Sequence, residues 1–309
     1  MSESQKKPLV TFALFAYNQE PYICQAIEAA FAQTYSPLEI ILTDDHSSDA
    51  TFSKMKVAAA DYSGPHTVRL NRNSTRLGVA GHVNKIEKMA LGGLIIAAAG
   101  DDISYPHRVA TIVDTWIASD RFSGMLHSAY DDMDINGEIK KTISLEPITT
   151  IKNMITRNVI VGATEAWSRH LFEVFGPLNS SVTHEDRAMG TRAALLDGVR
   201  YIDKPLVAYR RGGISSQGKR ISEFEMRRLG ARRYVADMAQ MICDFEIARR
   251  KKMIDNDLCD DLTSIAQNRL AGELLLASTT PLKSAMKLVF LEFPRLVRRI
   301  ALVTYWAIR

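Results

Sequence analysis

The chain contains no stretch of about 18 uncharged apolar residues, so no clean membrane-spanning helix is expected. Cysteine is scarce: Cys24, Cys243 and Cys259 are the only three in 309 residues, and none forms a C-x-x-C pair. That excludes a disulfide framework and a cysteine zinc knuckle, and it fits a reducing, cytoplasmic setting. G-x-G-x-x-G, G-x-S-x-G and H-E-x-x-H are all missing, and the seven histidines show no zinc spacing. A secretory leader is not expected, because the first apolar run, Leu9 to Ala16, is followed at once by Asn18, Gln19 and Glu20. The stretch from Gly213 to Arg220 nearly spells a phosphate-binding loop. It lacks the Ser or Thr after Lys219 that would hold Mg²⁺, and it follows Arg210-Arg211 rather than opening a sheet. No internal repeat or low-complexity tract is found.

Excess charge is also small. The net value is +4, and the basic residues Lys283, Lys287, Arg295, Arg298, Arg299 and Arg309 lie close together with only Glu292 against them. The basicity belongs to residues 282–309, so a nucleic-acid footprint over the whole protein is excluded. Within that stretch Val289, Phe293, Leu296, Ile300 and Val303 recur at helical spacing beside Tyr305-Trp306. A basic amphipathic helix of this kind suits a membrane surface, which would make the protein peripheral on the inner face of the membrane. Packing against the rest of the chain or a partner helix explains the same pattern.

What is present is an ordinary globular composition, 46% apolar and 24% charged, in a chain long enough to bury a full core. Its first 130 residues alternate strand and helix patterns. Leu9 to Ala16, Leu38 to Leu42, Val68 to Leu70 and Leu94 to Ala98 read as strands, most of them apolar on both faces. Helical spacing fills Glu20 to Gln33, Ala50 to Ala60 (with Asp49 as its N-cap) and Gly81 to Leu91, and Pro106 opens a fourth helix. The alternation predicts an α/β protein with an open, mostly parallel sheet flanked by helices. Further on, Met125 to Tyr130, Val159 to Ala163 and Tyr201 to Tyr209 read as strands, with a hairpin-type turn at Ile135 to Glu138. Ser168 to Phe175 and Glu185 to Leu196 read as helices, and Ile221 to Gln267 as one long helix. The expected division is a catalytic domain over 1–215, with a nucleotide-sugar half at about 8–125 and an acceptor half at about 126–215. A helical C-terminal extension over 216–309 carries the basic tail.

Three predicted strand ends carry polar clusters: Tyr17-Asn18, Asp44-Asp45 and Asp101-Asp102. In a doubly wound sheet they share one rim, where ligands bind. Adjacent carboxylates repel unless a cation sits beside them, and Mg²⁺ prefers one or two carboxylates plus substrate phosphates. Asp44-Asp45 can accept hydrogen bonds from a base N–H or a ribose hydroxyl. His184-Glu185-Asp186 opens a helix, where Asp186 can serve as a general base. Taken alone, Asp101-Asp102 is better explained as a solvated turn with a helix cap, and Asp44-Asp45 and His184-Glu185-Asp186 are equally well explained as turn and cap chemistry. The shared rim favours the functional reading of Asp101-Asp102.

The words Ala16-Tyr17-Asn18, Ala32-Gln33-Thr34-Tyr35, Asp44 to Thr51, Gly100-Asp101-Asp102-Ile103 with Pro106 and Arg108, Glu185-Asp186, and Pro205 to Arg210 follow one another in order. Over about residues 8 to 215 the chain resembles the family 2 glycosyltransferases of the GT-A fold. The resemblance implies a metal-dependent, inverting transferase that moves a sugar from a nucleoside-diphosphate sugar to a saccharide or lipid-linked acceptor. Cell-surface polysaccharide or glycolipid synthesis would be its setting. It implies that Tyr17 lies against the base and Asp45 hydrogen-bonds it, with Ala16, Asn18, Glu20 and Asp44 around them. Asp101 would face the ribose and donor side, Asp102 would ligate Mg²⁺ or Mn²⁺ with Asp101 beside it, and Asp186 would be the catalytic base. Lys85, Arg210 and Arg211 would contact the diphosphate. Three positions depart from the family pattern: His46 stands for the usual glycine, Ala99 for the first acid of D-x-D-D, and Gly212-Gly213 for a basic position. Water would then complete the metal shell. Two other readings remain: a nucleotidyltransferase that makes nucleotide-sugars, and a noncatalytic sugar- or membrane-binding protein on the same scaffold.

Overall fold

The computed structural model describes residues 7–147, 150–156, 160–212 and 223–276, the last stretch with side chains over 233–272. The Gly213 to Arg220 loop and the basic amphipathic tail both lie outside the described residues.

The first strand, β1 (Val10–Ala16), is buried along nearly its whole length and sits between parallel neighbours. Those are β2 (Leu38–Asp44) and, after α1 (Ile23–Phe31), α2 (Thr51–Asp61), β3 (Thr67–Arg72) and α3 (Gly78–Met89), the strand β4 (Leu94–Ala99). Side chains alternate between the faces. Phe12, Leu14, Ile40, Leu42 and Ile96 pack under α1, α2 and a later helix, α4 (Arg108–Ala118), through Ile27, Met55 and Val113. Ala13, Ile41 and Ile95 face the other way, onto α3 through Val83 and Ile86. Burial on both faces explains the uninterrupted apolar runs. At Gly92 an added Cβ would lie 2.5 Å from the backbone of Val10 and Thr11, so only glycine lets the link from α3 to β4 cross so close to β1.

The remaining strands complete a mixed sheet in the order β3-β2-β1-β4-β8-β6-β9-β5. They are β5 (Ile103–Ser104), β6 (Met125–Met133), β7 (Ile139–Ile143, paired with β6), β8 (Ala166–Ser168) and β9 (Val199–Arg210). The β4–β8, β8–β6 and β5–β9 pairs are antiparallel, while β6–β9 is parallel. Pro205 is tolerated in β9 because the β6 register shifts on both sides of its partner Ala129. The helices of this half are α5 (Ile151–Thr156), α6 (His170–Phe175) and α7 (Glu185–Leu196).

Three local expectations change. In place of the strand expected over Val159 to Ala163, the described residues from Ile160 onward form a 3₁₀ turn at Gly162–Thr164 that leads into β8. Ala50, not Asp49, is the N-cap of α2, although Asp49 Oδ1 still accepts the Thr51 N–H at 3.0 Å. The single long C-terminal helix is a hairpin of α8 (Glu223–Arg250) and α9 (Asn256–Leu276). Lys252 makes the break, taking the positive φ of 58° that glycine usually supplies. Met238, Met241, Phe245, Leu262 and Leu270 of the hairpin share one apolar cluster with Ile155, Phe175 and Leu195. That cluster draws on residues from both sides of position 215.

Candidate active site

Parallel pairing puts the ends of β1, β2 and β4 side by side, with Ala16 opposite Asp44 and Phe15 opposite Ala99. The three polar strand ends expected on one rim therefore sit together, as do the N-terminus of α7 and the end of β9. Between them opens a cavity of about 780 Å³, of the size that holds a nucleotide-sized ligand.

One end of the cavity is built by Tyr17, Asp45 and Arg76. The Arg76 guanidinium stacks on the Tyr17 ring at 4.1 Å. Asp45 accepts hydrogen bonds from Asn73 Nδ2, Leu77 N and Gly78 N at 2.8 to 2.9 Å, which ties the loop before α3 to the end of β2. A carboxylate accepts about four, so room is left for one more donor. The residues around this end act as stitching. Asn18 takes φ 52° and its Oδ1 accepts the Ser48 N–H, while its own N–H goes to Ser47 Oγ. Glu20 accepts the Ala50 N–H. Asp44 is fully buried under Ser47 and Arg72. Ala16 lines the cavity; Asn18, Glu20 and Asp44 do not. His46, where the family has glycine, takes φ 64°, the left-handed backbone that makes glycine usual there.

The floor holds Asp101 and Asp102, both buried. Asp102 Oδ1 accepts the Arg210 N–H at 2.8 Å, and Arg210 Nε donates to the Asp101 carbonyl at 2.9 Å. Burial, and then the charge of Asp101, push the Asp102 carboxyl up to about 8. A pair destabilised this way suits a cation. Among the described residues no cluster of three or more His, Cys, Asp or Glu could hold a metal, so the protein would supply one or two carboxylates. That donor set fits Mg²⁺ or Mn²⁺ completed by phosphate and water.

The far wall holds Glu165, Glu185 and Asp186. Asp186 Oδ1 accepts the Arg187 N–H at 2.7 Å, and burial raises its carboxyl against that bond and the nearby His184. Glu185 is pushed up to about 8 by burial and by Asp186. Glu165, 1% exposed, is raised well above the usual carboxylate range by burial and then by those two neighbours, and its Oε2 has no partner among the described residues. Behind Asp102 and Glu165 lies Arg108, fully buried, donating to Ser104 Oγ and the Ala97 carbonyl. Burial lowers Arg108 to about 9, and the two acids oppose the shift.

The three expected diphosphate contacts fare differently. Arg210 lines the cavity, but its guanidinium is engaged by Gln25, Ile135 and Asp101 and lies over the Tyr22 ring. Arg211 is outside the cavity, paired with Asp132. Lys85 is exposed on α3 and also outside. Arg233 of α8 lines the cavity instead. Sequence reasoning missed Arg76, Glu165 and Arg233. Only Glu165 left a trace, as a lone acid in the apolar run from Ile160 to Trp167.

The sequence model described as Glycosyl transferase family 2 matches residues 11–175, more than half of the chain. The chain belongs to glycosyl transferase family 2. EpsE of Bacillus subtilis, named as a glycosyltransferase, is 35% identical over 102 residues, covering 33% of this chain and 36% of its own. The succinoglycan biosynthesis protein ExoO of Rhizobium meliloti is 35% identical over 109 residues, covering 35% and 30%. The chain thus spans about a third of the length of the curated relatives it matches. The S. aureus TarS 1-349 structure in complex with UDP superposes with a TM-score of 0.58 at 14% identity, covering 90% of this chain and 75% of that one. The mannosyltransferase PcManGT of Pyrobaculum calidifontis, in complex with GDP-Man and Mn²⁺, gives 0.56 at 17%, covering 99% and 82%. These likenesses establish a GT-A fold. No helix among the described residues is long and apolar enough to cross a membrane.

Proposed function

We propose that this family 2 member transfers a sugar from a nucleoside-diphosphate sugar to an acceptor hydroxyl, with inversion, during synthesis of a surface polysaccharide or glycolipid. The observation that carries the reading is the single cavity that joins the Tyr17–Asp45 end to Asp101, Asp102 and Asp186. TarS structures with UDP and with UDP-GlcNAc, and PcManGT with GDP-Man and Mn²⁺, support the donor class and the divalent ion. The name of ExoO supports the polysaccharide setting.

Tyr17 offers its ring to the base, and Asp45 its remaining acceptor capacity. Asp102, with Asp101 beside it, would hold Mg²⁺ or Mn²⁺, which supplies the positive charge that stabilises the departing diphosphate. Arg233 adds a second cation at the cavity wall. Asp186 takes the proton from the acceptor hydroxyl as that oxygen bonds to the anomeric carbon. The bond from that carbon to the diphosphate oxygen breaks on the opposite face. The raised Asp186 carboxyl is a stronger base than an ordinary aspartate.

The test is turnover of a panel of UDP-, GDP- and dTDP-sugars with and without Mn²⁺, on the wild type and Asp186→Asn. The variant should lose about 10²- to 10⁴-fold in turnover while titration calorimetry shows the nucleoside diphosphate still binding. Full activity in Asp186→Asn removes Asp186 from the mechanism, and no turnover of any donor by the wild type refutes the donor class.

A further inference from the structure

The segment that carries the proposed base is held from outside the matched family stretch. Residues Asn179 to Arg187 lead into α7, and their free backbone groups are taken by one face of α8. Gln240 Oε1 accepts the Asn179 N–H at 2.8 Å. Asp237 Oδ1 accepts the N–H groups of Thr183 at 3.0 Å and His184 at 3.4 Å. Asp237 Oδ2 lies 2.5 Å from His184 Nδ1. A carboxylate only accepts, so the proton between them belongs to Nδ1, and the imidazole is fixed in orientation. Tyr234 closes the group, lying under the Arg187 guanidinium at 4.6 Å and beside the His184 ring at 6.2 Å. Tyr234, Asp237 and Gln240 are spaced three apart, so they lie along one face of the helix.

Asp237 is itself fully buried. Burying a carboxylate is costly unless it is paired and hydrogen-bonded. Here the cost is met by three donors that all come from the two residues before Glu185-Asp186. A helix that needed only to pack would do so through apolar residues, as Met238 and Met241 do.

We propose that Asp237, acting through His184 and the Thr183 backbone, is a positioning residue that fixes where Asp186 stands relative to the reacting centre. The C-terminal hairpin is then a working part of the active site. This rests on the reading of Asp186 as the base. A displacement of about 1 Å in a reacting group costs about 10²-fold in rate, so the hold matters even though Asp237 touches no substrate.

The experiment compares Asp237→Asn, His184→Ala and His184→Asn with wild type and Asp186→Asn. The readouts are kcat, donor KM, nucleoside diphosphate affinity and thermal midpoint. Asp237→Asn and His184→Ala should lower kcat by about 10- to 100-fold with donor KM and nucleotide affinity within about twofold. His184→Asn, whose amide nitrogen takes the place of Nδ1, should recover part of the loss. His184 is partly exposed, so its variants keep the test open even where Asp237→Asn lowers the midpoint. Wild-type kcat in His184→Ala, while Asp186→Asn is inactive, overturns the inference alone. A matching rise in donor KM, with kcat unchanged, also overturns it. Full activity in Asp186→Asn overturns the base assignment and this inference together.

Discussion

Gly162 shows how tightly the acidic wall is fitted. A Cβ added there would stand 2.7 Å from Glu185 Oε1, and Glu185 neighbours the proposed base. Gly162→Ala should therefore push that carboxylate aside. Because only the tip of a flexible side chain beside the cavity must yield, we expect a stability loss below about 1 kcal/mol together with a fall in kcat. Chemical denaturation and steady-state kinetics measure both. Wild-type turnover in Gly162→Ala would mean that displacing Glu185 does not disturb the site. Tyr17, Asp45, Asp101 and Asp102 could be found from sequence because each follows an apolar strand, which fixes its place on the rim. Arg76 and Arg233 could not. One lies in an aperiodic loop and the other on a helix whose position nothing in its own sequence determines. Lys85 and Arg211 misled because charge alone does not say which way a side chain leaves its element.

Between elements, the α7–α8 contact is the most exposed to a single change. Arg192 and Asp244, both without solvent exposure, form a two-pronged pair at 2.9 and 3.1 Å. The third Arg192 nitrogen, Nη1, donates to the Gly176 carbonyl at 2.8 Å. Burial raises the Asp244 carboxyl and Arg192 opposes the shift. Arg192→Met leaves that carboxylate buried without a countercharge, with only Gln240 Nε2 still donating to it at 3.0 Å, at a cost of about 3–5 kcal/mol. A drop in thermal midpoint, smaller in the double variant Arg192→Met, Asp244→Leu, is the expected result; equal midpoints for wild type and Arg192→Met would refute it. The helix hairpin behind this contact was hidden in sequence because Lys252, not glycine or proline, makes the turn. The short strands β5 and β8, with two and three residues, are too brief to show a period, so the antiparallel half was not foreseen in the way the parallel half was.

For the molecule as a whole, buried titratable groups pull stability in opposite directions as pH changes. Burial lowers His82 and His127 from 6.5 to about 4. The unfolded chain therefore binds more protons between those values, and stability rises with pH up to about 6.5. Glu185 and Asp102 are raised to about 8 in the fold, so there the folded protein binds more protons, and stability falls as pH climbs toward 8. Above 6.5 only the carboxyl groups act. The metal-free protein in chelator should lose thermal midpoint between pH 6.5 and 8, and Glu185→Gln should flatten the decline. A midpoint that climbs over that window would contradict the assignment.

The apolar cluster shared by Phe175, Leu195 and the α8–α9 hairpin has a practical corollary for anyone dissecting the enzyme. Cutting the gene after the last strand, close to where the sequence pattern divides the chain, would strip a greasy cover from α6 and α7 and unseat the helix start that carries the proposed base. The minimal unit worth expressing is therefore longer than the stretch by which its ancestry is recognised.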